Sequence, residues 1–193
     1  MIKDLDKFQK TFKKRLYGLR GIADYYMDEF RCSISELQDY FHNSDLKNPI
    51  GYTGINSNGV HSGFNSKEVA RLVREHNCSI NKLREKKLLT DDHIFGTTLI
   101  GRIVLQACIN SEFNIDYMVN EWLPKNLHLW TRVIITREED DRLARHQHSY
   151  EDKVNLVHYK EAGIVLTGTP KINFPESIIK QIYTPYQTDK FFE

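Results

Sequence analysis

Apolar residues recur three or four positions apart along much of this chain, and that spacing is the period of an α-helix rather than of a strand. It is clearest in the N-terminal segment, where Leu5, Phe8, Phe12, Leu16 and Leu19 form one continuous stripe. The helical pattern extends from Ile2 to about Phe41, but Gly18 and Gly21 weaken its middle, so one helix or two are equally compatible with it. Ser33 and Glu36 have capping-box spacing, and would start a further helix through Leu37 and Phe41. By the same periodicity, Ser66 to Leu88 reads as two short helices and Thr98 to Cys108 as another. Ile115 to Trp122 reads as a fourth, ended by Pro124. Thr136 with Glu139 forms a second capping box opening a helix to about His146, and Ser149 can cap a helix that ends at Gly163.

The β signals are fewer. Leu129 to Ile135 is a β-branched and aromatic run suited to a buried strand, and Ile164 to Thr167 reads as a short one. Residues 43–65 are rich in Gly, Asn and Ser, with Asn58-Gly59 as a hairpin-turn dipeptide between Tyr52–Ile55 and Val60–Phe64. The fold expected is therefore α+β, a helix-dominated single domain with a small sheet whose strands lie near 52–64, 129–135 and 164–167. Along 1–193 it comprises a helical segment (1–42), a loop or hairpin (43–65), a helical hairpin (66–88), a mixed region (90–170) and a tail (171–193).

Composition excludes several classes. The chain is 40% apolar and 27% charged, ordinary globular usage that speaks against wholesale disorder. No apolar run reaches the roughly 20 residues that span a bilayer, so no membrane partner is expected. The first twenty residues carry Lys and Asp where a secretory signal needs an apolar stretch. Cys32, Cys78 and Cys108 are odd in number and widely spaced, as suits reduced thiols, so a cytoplasmic location is expected. With 27 basic and 26 acidic residues there is no global pull toward polyanions, and any nucleic-acid surface must arise by local clustering. The Gly-rich stretch lacks the Gly-Lys-Ser/Thr ending of a phosphate-binding loop, and no nucleophile elbow is present.

Two segments carry chemistry. The stretch NSKEVARLVREHNCSINKLREKKL, Asn65 to Leu88, resembles a helix-turn-helix unit. The resemblance makes Ala70 the small residue that lets the helices approach, with Val69, Val73, Ile80 and Leu83 holding the pair together. The second helix would present Asn81, Lys82, Arg84, Lys86 and Lys87 to phosphate oxygens and base edges, with DNA as the partner. Arg74 stands where that family has a turn glycine, and Glu75 where it has an apolar residue. The alternative is an ordinary helical hairpin with a solvated basic face.

The second segment, Thr90-Asp91-Asp92-His93-Ile94-Phe95-Gly96, resembles the Asp-His core of the ββα-metal (HNH) nucleases. That resemblance implies a metal-dependent endonuclease hydrolysing phosphodiester bonds. Asp92 would bind Mg²⁺ or a similar divalent cation, His93 would be the general base and Asn126 would orient it. His146, on the helix within ITREEDDRLARHQ, would complete the metal site. The 33 residues from His93 to Asn126 are about twice the interval of a compact motif of this kind. The alternative is that Asp91 or Asp92 caps the following helix while His93 bonds a backbone carbonyl. Glu138, Glu139, Asp140 and Asp141 form an acidic first helical turn of the sort the macrodipole favours, and Trp122, Trp130, Tyr25 and Tyr26 are assigned to the core or its edge. A DNA-acting protein is the reading these segments support. The alternatives are a non-catalytic DNA-binding regulator and a structural or assembly protein whose aromatics form a homo-oligomer interface.

Overall fold

The structure is a computed structural model that describes residues 5–29, 31, 33, 36, 60–147 and 156–183. Among the described residues it is an α+β fold dominated by helices, with one small four-stranded sheet. The chain divides into two compact units, residues 1–60 with 95–130 and residues 61–94 with 131–193.

The first unit is helical. Helix α1 (Leu5–Glu29) runs unbroken through Gly18 and Gly21. Burial of Phe8, Phe12, Leu16, Leu19 and Ala23 along one stripe outweighs the roughly 1 kcal/mol that each glycine costs a helix interior. Phe8 and Phe12 meet the edge of Trp130 at ring-centre distances of 5.4 and 5.6 Å, and Phe12 lies parallel to Trp122 at 6.4 Å. Trp130 thus belongs to the aromatic core and the half-buried Trp122 to its edge, as the sequence reading has it, whereas Tyr25, expected in the same layer, is exposed. Beyond α1, Ser33 and Glu36 form the expected box, with the Ser33 N–H donating to Glu36 Oε2 at 2.7 Å and the Glu36 N–H to Ser33 Oγ at 3.2 Å. The expected helix from there through Phe41 and the Asn58-Gly59 turn lie outside the described residues.

In the same unit, the run that follows the long helix Thr97–Asn110 differs from expectation at one point: Pro124 does not end it. One turn, Ile115–Tyr117, widens into a π-helical stretch, Met118–Trp122, and the chain continues helically through Leu123–Lys125. The Leu123 N–H reaches back five residues to the Met118 carbonyl, and Pro124 falls in a first turn where its missing N–H leaves no gap. A 3₁₀ turn, Leu127–Trp130, then occupies the start of the expected 129–135 strand.

The second unit holds the sheet, in the order β2-β3-β1-β4. Strand β1 (Val60–Ser66) leads into helices α2 (Lys67–Glu75) and α3 (Ile80–Glu85), and β2 (Leu89–His93) follows. With α4 assigned to Thr97–Asn110, α5 to Ile115–Tyr117 and α6 to Leu123–Lys125, the chain goes on through β3 (Thr131–Thr136) and α7 (Arg137–Gln147). Helix α8 (Val157–Glu161), β4 (Leu166–Gly168) and α9 (Glu176–Tyr183) complete it. Strand β2 lies where the sequence reading has a polar turn. It pairs antiparallel with β3, Leu89 opposite Thr136 and His93 opposite Arg132, because the apolar β3 run takes its ladder partners from whatever backbone lies alongside.

Strands β1 and β4 pair antiparallel, and their contact requires two glycines. Gly63 has φ +96°, and a Cβ there would stand 2.0 Å from the Thr169 carbonyl oxygen; Gly168 has φ +127°, and a Cβ there would stand 2.4 Å from the Gly63 oxygen. The expected capping box at Thr136 is present. The Thr136 N–H donates to Glu139 Oε2 at 2.8 Å, the Glu139 N–H donates to Thr136 Oγ1 at 3.1 Å, and the buried Ser66 hydroxyl donates to the same Glu139 oxygen at 2.6 Å. Helix α8 ends at Gly163 as expected, with its N–H on the Lys160 carbonyl and the Ile164 N–H on the Tyr159 carbonyl.

Candidate nucleic-acid interface and the Asp92–His93 strand

The hairpin α2–α3 is built by its caps. Ser66 Oγ accepts from the Val69 N–H and Ser79 Oγ from the Lys82 N–H, so each helix begins where a hydroxyl satisfies its open donors. Both helices close alike. The Asn77 N–H meets the Arg74 carbonyl and the Cys78 N–H that of Val73; the Lys87 N–H meets the Arg84 carbonyl and the Leu88 N–H that of Leu83. The turn residue with positive φ is Asn77, at +43°, and Arg74 remains helical. Asparagine tolerates that conformation better than most side chains, which is how the turn forms without a glycine.

On the inner side Val69 and Leu83 pack with Leu89 and Ile134, joined by Leu72, Val73, Cys78, Ile80 and Leu88. Ala70 is half-buried. On the outer side Asn81, Lys82, Arg84, Lys86 and Lys87 are all exposed. Their charges are not equally available: Arg84 pairs with Asp91, whereas no salt bridge holds Lys82, Lys86 or Lys87 among the described residues. On α2, Arg71 is taken up by Glu68 and Glu75. Helix α3 has six residues, so it is about 9 Å long, which suits contact with one or two phosphates better than extended reading of base edges.

Asp92 and His93 are neighbours in β2, and consecutive strand side chains point to opposite faces of the sheet. The structure therefore does not bring the two together. The Asp92 carboxyl turns toward the buried Tyr159 of α8, whose hydroxyl donates to Asp92 Oδ2 and lies 3.4 Å from the His93 carbonyl oxygen. Burial pushes this carboxyl up to about 7; the Tyr159 bond opposes the shift, and the nearby Asp140 charge adds to it. Tyr159 is itself raised well above its ordinary value, by burial first and then by Asp92. On the other face His93 lies beside Arg132, and burial together with that guanidinium depresses the imidazole to about 4. Its Nδ1 is buried, with no hydrogen-bond partner among the described residues.

The other two residues of the sequence-derived site are engaged locally. Asn126 belongs to the first unit, where its Nδ2 donates to the Trp122 carbonyl at 2.8 Å and it caps the last helical turn. His146, near the end of α7, places Nδ1 3.6 Å from Glu161 Oε2. Among the described residues no group of three or more His, Cys, Asp or Glu side chains is placed to hold a metal ion. Sequence reading missed Tyr159 and Arg132. Tyr159 gives no local signal, but Arg132 does, as a lone charge inside the apolar strand TRVIIT.

Of the cysteines, Cys78 and Cys108 are free thiols, and burial pushes the Cys108 thiol up to about 12, which makes it inert as a nucleophile. No helix among the described residues is long and apolar enough to cross a membrane. Comparison with protein-family models, with curated proteins and with solved structures finds no match.

Proposed function

We propose that this protein binds DNA without cleaving it, gripping the phosphate backbone with the outer face of the α2–α3 hairpin. One observation carries the reading: the hairpin buries its apolar side on β2 and β3 and leaves Lys82, Lys86 and Lys87 exposed with no carboxylate to neutralise them among the described residues. Ammonium groups held on a short helix and on the turn that closes it are suited to releasing counterions from a duplex. Binding is favoured over hydrolysis because the carboxyl and the imidazole that an HNH-like mechanism would combine diverge from one strand to its two faces.

Fluorescence anisotropy on a labelled duplex at about 50 mM salt tests the reading. The Lys82→Gln, Lys86→Gln, Lys87→Gln variant is expected to bind at least tenfold more weakly. Its slope of log affinity against log salt should be shallower by up to about 3, since each phosphate contact contributes close to 0.9. An unchanged slope would overturn the assignment. Absence of binding at that salt, with a discrete oligomer in light scattering, would support a structural or assembly role instead. Plasmid nicking that needs Mg²⁺ and disappears in a folded His93→Ala variant would restore the endonuclease reading.

A further inference from the structure

The face of the sheet that carries His93 gathers more polar groups than the strands alone require. His61 and Asn65 come from β1, Asp91 and His93 from β2, Arg132 from β3, Arg84 from α3, and Lys171 from the segment after β4. In the ladder His93 stands directly opposite Arg132, and antiparallel partners share a face. Along β1 the half-buried His61 and Asn65 alternate with the buried Ser62, Phe64 and Ser66, so the two share one side of that strand, and the charges of Lys171, Asp91 and Arg84 act on the His61 imidazole there. Four side-chain atoms in this group are buried with no hydrogen-bond partner among the described residues: His61 Nε2, Asn65 Oδ1, His93 Nδ1 and Arg132 Nε. Each such atom is costly to bury unless something completes it, and native proteins rarely leave several together.

We propose that this face binds a small phosphate oxyanion, inorganic phosphate or a phosphate monoester. Charge favours it. Arg84, Arg132 and Lys171 supply three cations against the single carboxylate of Asp91, a difference of two, and Asp92 faces the other side. The hydrogen-bonding inventory favours it too. His61 Nδ1 accepts the Gly63 N–H at 3.0 Å, so in the neutral ring the proton sits on Nε2, which becomes a donor without an acceptor. Arg132 Nε is a second such donor, while Asn65 Oδ1, whose approach to the His61 imidazole falls short of bonding geometry, is an acceptor that a hydroxyl would complete. A singly protonated phosphate or a monoester of the same protonation offers acceptor oxygens and one P–OH together; a carboxylate or sulfate near neutral pH offers acceptors only. The four residues are themselves only half-buried, so the face can be approached from solvent.

The hairpin contributes only Arg84 to this site, so its test does not depend on Lys82, Lys86 and Lys87. In calorimetric titration near pH 7, inorganic phosphate is expected to bind saturably, with sulfate at least tenfold weaker. Arg132→Gln should weaken phosphate at least tenfold and Lys171→Gln several-fold, while the Lys82→Gln, Lys86→Gln, Lys87→Gln variant should bind phosphate as the parent does. Lys171 is exposed, so its variant keeps the test decisive if Arg132→Gln fails to fold. The imidazole C2 protons of His61 and His93 should shift along the same isotherm. A 5′-phosphorylated oligonucleotide outbinding its 5′-hydroxyl counterpart would identify the phosphate as a nucleic-acid end; equal binding of the two would identify a free monoester. Linear, non-saturating heats with phosphate, or saturable binding untouched by both single variants, would overturn the proposal.

Discussion

The two compact units bury different kinds of residue. The helical unit closes on aromatic and aliphatic side chains, with Phe8, Phe12 and Trp130 at its centre. The sheet unit contains Ser62, Ser66, Thr131, Thr136 and Glu139, five of the six buried polar or charged residues among those described, and His128 alone lies in the other. A stripe of helix can be shielded by apolar packing alone, because its backbone bonds are internal. A short mixed sheet with helices leaving its strand ends must satisfy open N–H groups with side chains. The difference teaches where to look for chemistry: polar groups held inside a fold at a cost are found in the sheet unit, and the helical unit reads as support.

The glycines break this comparison most severely. Gly63→Val puts a side chain against the Thr169 carbonyl at a backbone angle that valine does not adopt, so the sheet unit should fail to form, with loss of cooperative thermal unfolding. The next effect is one of pH. An acid whose folded value lies above its unfolded 3.8 keeps a proton that the unfolded chain has lost, so Asp92 makes stability fall as pH rises from about 4 to about 7. An imidazole held below its unfolded 6.5 does the reverse, so His93 makes stability fall as pH drops from 6.5 to about 4. Across the shared window these slopes offset each other: folding moves one proton from an imidazole to the neighbouring carboxyl. Urea melts should find Asp92→Asn stabilised above pH 7, on the order of 3 kcal/mol, with stability that now rises from pH 4 to 6.5. A flat Asp92→Asn profile would show that His93 titrates freely. Smallest is the change in the helical unit: a Cβ at Gly18 or Gly21 meets nothing within 4 Å, so Gly18→Ala and Gly21→Ala should each stabilise by up to about 1 kcal/mol.

What the sequence disclosed follows the range of the forces involved. Helices with apolar stripes, the boxes at Ser33–Glu36 and Thr136–Glu139 and the stop at Gly163 are legible because their causes lie within a few residues. Strand β2 is not legible, because Leu-Thr-Asp-Asp-His has no alternation and becomes a strand only through the distant residues of β3. The same gap governs the site. Adjacency in the sequence suggests Asp92 and His93 as a pair, whereas in a strand adjacent side chains are separated in space. His61, Asn65, Arg132 and Lys171 share a region only through pairing and charge relations that no local pattern reports. The exposure of the basic residues on α3 and its closing turn is legible, since caps and apolar residues fix which way a short helix turns.

The Glu139 carboxylate receives the hydroxyl that begins α2 and the amide that precedes α7. Unwinding the first turn of either helix therefore strips a ligand from the same oxygen, and the loss is felt by the other. The two strand-to-helix corners are joined into one opening unit, so their amide protons should exchange with solvent at a common free energy instead of fraying one by one.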